Sequence, residues 1–188
     1  MAMAASDASL LASVDARTKL AGSNKMEILL FSLGTRETFG INVFKVREVS
    51  QTPFITRTPN MPFGVEGVLS LRGNIIPVIS LAKFIGCETE TTTYGTMIVT
   101  EFNKSTQAFL VDSVDRIIRV DWDKVRAPEN VMSTTQQTLI TAVTELEDGK
   151  LVSILDVEQI LASVVGETRV PDIPSAQLEQ DQYVFFVD

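Results

Sequence analysis

The chain has 188 residues, 45% apolar and 21% charged, with a formal net charge of −8 and no histidine. That balance counts against nucleic acid as a partner, because affinity for phosphate backbones comes chiefly from Lys and Arg. The missing histidine removes the commonest general base and zinc ligand, and the single cysteine, Cys87, builds neither an internal disulfide nor a thiolate site alone, so no cofactor or metal is expected.

Residues 1–25 are expected to form an N-terminal helical segment, with Leu10, Leu11, Val14 and Thr18 at helical spacing. The start lacks the basic residues and sustained apolar core of an export signal, and no apolar run approaches the roughly 20 residues of a membrane span. Cytoplasmic residence without direct membrane insertion is therefore expected. Glu27 to Leu33 (EILLFSL) is apolar on both parities, as in a strand covered on both faces, and Gly34 to Glu37 supplies a turn. FGINVFKVREV (Phe39 to Val49) alternates and then slips phase, which implies a bulge or tight bend. The following TPFITRTPNMPFG holds three prolines and reads as an extended connection.

In LSLRGNIIPVISL (Leu69 to Leu81) two strands meet at Arg72-Gly73-Asn74, where glycine supplies the positive φ of a tight hairpin. Pro77 cannot donate a ladder hydrogen bond, which places its strand at an edge or a bulge. Ser80 is positioned to cap a short helix, LAKFI, and Gly86 to close it. Arg72 itself has two readings: a solvated turn residue, or a side chain held for a partner.

After the polar loop ETETTTYG come the strand-like MIVTEF and QAFLVDSVDRIIRVDW, and then the pattern repeats. Strand, glycine turn, strand and capped helix in GVLSLRGNIIPVISLAKFIG recur in TAVTELEDGKLVSILDVEQILAS, with Val68 matching Val143. A weaker match sets VFKVREV beside VDSVDRI. Two copies are too few for a solenoid. A duplicated small barrel of the SH3 or OB kind, mostly β, is the expected fold class. In the second copy Asp156 is the N-cap, with Gln159 three residues on, Ile160 and Leu161 on the buried face, and Gly166 as the end. Residues 167–182 read as a linker. YVFFVD (Tyr183 to Asp188) reads as the first strand of a domain that has been cut away, or as a strand added to a sheet edge.

Asp112, Asp115, Asp121 and Asp123 lie among Arg116, Arg119 and Lys124, so salt bridges explain them without catalysis. Lys45, Arg47, Glu48 and Arg72 mark the first copy, where the second has Ser113, Asp115, Arg116 and Asp148; the copies have diverged in charge.

Through FGINVFKVREV, TRTPNMPFGVEGVLSLRGNIIPVISL, FLVDSVDRI and ITAVTELEDGKLVSILDVEQIL, the chain resembles the CheW-like coupling domain of bacterial chemotaxis over roughly Met26 to Ser163. VDARTKLAGSNKMEILLF and YVFFVD are more similar to the CheV variety, in which a receiver domain follows; Asp188 would be the receiver's first acidic residue. The resemblance implies two intertwined five-stranded barrels over 26–166. It also implies a scaffold that binds the regulatory domain of the histidine kinase CheA and the cytoplasmic tip of a chemoreceptor. By position it implies partner-binding roles for Val46, Glu48, Gly67, Thr96, Ala108, Val114, Ile117 and Arg72, although SLRG replaces the commoner NLRG. Val46, Leu69 and Val114 are expected to present exposed apolar strand edges to a partner.

An adaptor is thus the leading function. The alternative is a small barrel module for oligonucleotide or oligosaccharide, which needs a basic groove with exposed aromatics; one Trp and two Tyr argue against it. An enzyme has no phosphate-binding glycine loop and no convergent carboxylates to rest on.

Overall fold

A computed structural model describes residues 24–128 and 139–167. The expected N-terminal helix, the linker beyond Glu167 and the YVFFVD strand lie outside the described residues.

Ten strands form two five-stranded sheets. The chain runs β1 (Lys25–Ser32), β2 (Thr38–Asn42), β3 (Val46–Gln51), β4 (Val65–Leu71), β5 (Asn74–Ser80), β6 (Thr96–Phe102), β7 (Ser105–Val111), β8 (Ser113–Asp121), β9 (Ile140–Glu145) and β10 (Leu151–Leu155). Helix α1 (Leu81–Ile85) follows β5, and α2 (Val157–Glu167) follows β10. The first sheet has the order β3-β6-β7-β5-β4 and the second β8-β1-β2-β10-β9.

The two orders are the same pattern. Each has one antiparallel hairpin (β6–β7 or β1–β2) whose second strand pairs in parallel with the strand before a helix: Val78 opposite Ala108, and Ile154 opposite Gly40. The expected duplication is therefore present in the pairing itself. Even the isolated bridges correspond, with Val68 joined to Thr56 and its match Val143 to Arg126. The copies are interleaved, because the N-terminal hairpin β1–β2 completes the sheet made by β8, β9 and β10.

This exchange explains the apolar reading of β1 on both faces. Ile28 and Leu30 enter a core inside the second sheet, whereas Leu29, Phe31 and Leu33 enter a larger core shared by both sheets. β7 divides the same way, with Ala108 and Leu110 inside the first sheet and Phe109 and Val111 in the shared core.

The phase slip after β2 is a single 3-10 turn, Val43–Lys45, whose first free amide donates from Phe44 to Asn42 Oδ1 at 3.0 Å. Ser80 Oγ accepts from the Lys83 amide, and Gly86 closes α1 in the left-handed region at φ 77°. Asp156 Oδ1 accepts from the amides of Glu158 and Gln159, so it caps α2 as expected. One expectation needs correction: helix α2 continues through Gly166 to Glu167. Of the two places expected for Pro77, the edge is ruled out, because β5 sits between β7 and β4. The β4–β5 register does shift between Val65 and Gly67, opposite Ile79 and Val78, and pairing with β7 begins only at Val78, so proline's missing N–H falls just outside that ladder.

Candidate functional site

The site is built at the open end of the first sheet, where edge strand β3 comes back toward the β4–β5 hairpin. Glu48, on β3, accepts from Arg72 Nη2 at 2.6 Å across this gap. The hairpin turn has only two residues, and both are left-handed: Arg72 at φ 49° and Gly73 at φ 83°. Such a turn follows the twist of the strands but favours Asn or Gly at its first position. An arginine there costs roughly 1 kcal/mol, about what an exposed ion pair returns, roughly 0 to 1 kcal/mol. Arg72 remains 77% exposed. Local stability therefore does not account for this residue.

Beside the pair, Arg47 bonds Glu101 at 2.6 Å. Lys45, on the 3-10 turn that feeds β3, is ion-paired with Glu158 of α2 and stands 4.9 Å from the centroid of the Phe102 ring. The matched positions in the other copy are Ser113 and Ala82, so only one of the two junctions is pinned this way. That pin fixes where β3 begins, and hence where Val46 and Glu48 point.

The nucleophile candidates show no activation. Burial pushes the Cys87 thiol up, opposite to what a reactive thiolate needs. Tyr94 is pushed up to about 12, first by burial and then by donating its hydroxyl proton to Glu88. Among the described residues no group of three His, Cys, Asp or Glu could hold a metal ion, and no helix is long and apolar enough to cross a membrane. Of the acids near β8, Asp115 bonds Arg116 at 2.8 Å as expected, whereas Asp121 stands 4.0 Å from Lys25 and Arg119 bonds Glu27 of β1 at 2.7 Å instead.

The arrangement sets paired charges at a sheet edge, with no activated nucleophile beside them among the described residues. The family model of the CheW-like domain matches residues 27–165. The chain belongs to the CheW-like domain family. It is 30% identical over 148 residues to chemotaxis protein CheW of Klebsiella aerogenes, covering 78% of this chain and 88% of that protein. It is 38% identical over 126 residues to chemotaxis protein CheV3 of Helicobacter pylori, covering 65% of this chain but only 40% of that longer protein. The crystal structure of the scaffolding protein TtCheW from Thermoanaerobacter tengcongensis superposes with a TM-score of 0.63 at 29% identity, over 70% of this chain and 84% of that one.

Within this CheW-like domain the nine residues expected at the site are split. Val46, Glu48, Gly67, Leu69, Arg72, Thr96 and Ala108 belong to the first sheet or its hairpin, and Val114 and Ile117 lie on β8 of the second. Glu48 and Arg72 meet. Val46 and Val114 hold matched places, each half-buried against the shared core, and Thr96 opens β6 opposite Gln51 of β3. Ile117 is 55% exposed, as is its match Val49 to a lesser degree. Leu69 is a correction: β4 is an edge strand, but this side chain turns into the core of the first sheet and is only 5% exposed. Ala108 is likewise fully buried on central strand β7, and Gly67 is buried where β4 touches the proline-rich connection. These three can act on a partner only through the shape of the sheet. Reading the sequence missed Ile75 and Lys104, which line the cleft beside Arg72 together with Arg47, a residue marked in the sequence only by its charge. No local pattern marks them, since each sits on a different strand or turn.

Proposed function

We propose that this chain is a non-enzymatic adaptor of chemotaxis, coupling chemoreceptors to the histidine kinase CheA at receptor arrays on the inner face of the membrane. The regulatory domain of the kinase and the cytoplasmic receptor tip are its partners in this reading. What supports it most directly is the match along nearly the whole length of a CheW protein. The Glu48–Arg72 pair fits the same reading, because an exposed ion pair on a strained turn adds specificity rather than stability. We take each curled sheet as a small SH3- or OB-like barrel, with the Thr56–Val68 and Arg126–Val143 bridges beside its open edge. Similarity to the longer CheV3 supports a CheV-type protein.

Calorimetric titration with the kinase regulatory domain tests the proposal. The wild type is expected to bind, with Arg72→Ala and Glu48→Ala binding roughly tenfold more weakly at nearly unchanged melting temperature. A folded wild type that binds neither kinase domain nor receptor tip would refute the adaptor reading, and variants that unfold would refute the role given to the pair.

A further inference from the structure

The core shared by the sheets has two equivalent ends, one for each copy of the repeat, and they are built differently. The parallel pairings match Val78 to Ile154 and Ala108 to Gly40. Counted along the paired strands, Thr100 and Gln107 of the β6–β7 hairpin therefore stand where Phe31 and Phe39 stand in the β1–β2 hairpin, and each pair is directly opposed. Phe31 and Phe39 stack, with ring centroids 6.1 Å apart. Thr100 and Gln107 are buried as deeply, each 1% exposed, yet Thr100 Oγ1 and Gln107 Nε2 have no hydrogen-bond partner among the described residues.

Both side chains face the shared core. They have the strand parity of Ile98 and Phe109, which lie in it, and Val46, opposite Thr100, packs against it. Buried polar groups without a protein partner give up their hydration and receive nothing from the fold in exchange. Apolar residues fill the same places in the other copy, so the architecture does not demand polar ones. What is left to bond them is water. At this end, moreover, Lys45 reaches across to Glu158 of α2 as a part-exposed ion pair and stands by the Phe102 ring. The apolar end has Ser113 and the fully buried Ala82 at those positions.

We propose that the polar end is a seam that opens: the sheets part there, water reaches Thr100 and Gln107, and the Lys45–Glu158 pair is the latch. The Phe31–Phe39 end stays closed and acts as the hinge. Opening releases Val46 and the start of β3 from the shared core, so it moves Glu48 relative to Arg72. The device follows from the two ends of the core and does not depend on the coupling reading.

Two matched thiols test this in the full chain. In a Cys87→Ser background, Thr100→Cys reports on the polar end and Ala82→Cys on the apolar end; both positions are 1% exposed, so a thiol reagent reaches either one only through opening. Thr100→Cys is expected to react at least about tenfold faster. Ala82→Cys adds volume to a packed site, which favours opening there and works against the expected difference. Lys45→Met is expected to speed the Thr100→Cys reaction by about two- to fivefold and to leave Ala82→Cys unchanged. Global unfolding exposes both thiols alike, so the difference between them is the readout. In the opposite direction, T100V/Q107M replaces the polar pair by apolar side chains of similar size and is expected to raise the melting midpoint by about 3–6 °C. Equal reaction at the two positions, or K45M speeding both or neither, overturns the seam, as does a T100V/Q107M chain that melts lower than the wild type.

Discussion

Gly67→Ala is expected to lower the midpoint of thermal unfolding by about 6–12 °C, from a loss of about 3 kcal/mol. A Cβ at this position would overlap the backbone carbonyl oxygen of Thr56 and come within 2.9 Å of Ile55 Cγ2. The obstacle is backbone, so it cannot rotate away. Moreover, Thr56 and Val68 exchange two hydrogen bonds of 2.9 Å immediately beside the glycine. Pushing the connection outward would break that bridge and loosen the return from β3 to β4, which frames the Glu48–Arg72 gap. Partner binding should fall through this distortion rather than through a lost contact. Thermal melts followed by circular dichroism check it; an unchanged midpoint would mean that the connection yields freely.

Phe109→Ala should be costlier still, about 3–5 kcal/mol. The ring is fully buried in the shared core, where residues of β1 and β2 from one sheet pack with residues of β5, β6 and β7 from the other. Removing it leaves a cavity bounded by both sheets. The two sheets should therefore lose stability together, in one transition. The single tryptophan, Trp122, lies just after β8 of the second sheet, so its fluorescence reports the half that does not contain Phe109. Coincident downward shifts of fluorescence and circular dichroism are expected. A fluorescence transition that stays at the wild-type temperature would show that the sheets unfold independently, contrary to a common core.

Interleaving also bears on the site. Glu48 and Arg72 sit on one sheet, but β3 starts from a turn that Lys45 ties to α2, which follows the other sheet. The Glu48–Arg72 pair is thus held in place by elements of both copies of the repeat.

Much of the local structure is legible in the residues because its causes are local. Ser80, Gly86 and Asp156 cap helices through neighbouring amides, and Gly73 marks its hairpin through the conformational freedom that only glycine has. Val68 and Val143 reveal the duplication, since the same turn chemistry recurs around each. The Glu48–Arg72 pair was also accessible by resemblance, although its geometry was not. Alternation does set Leu69 inward and Ser70 outward, and the expectation of an exposed Leu69 failed because the edge position of β4 exposes its backbone rather than this side chain. No local pattern, however, sends β1–β2 to pair with β10, more than a hundred residues later, or brings the β4–β5 and β6–β7 turns to one cleft. By itself the sequence determined the strands, turns, caps and their repetition, because those follow from backbone propensity and side-chain period. The tertiary structure alone decided the exchange of hairpins and the convergence of Arg47, Arg72 and Lys104, because both depend on burying apolar faces against partners distant in the chain.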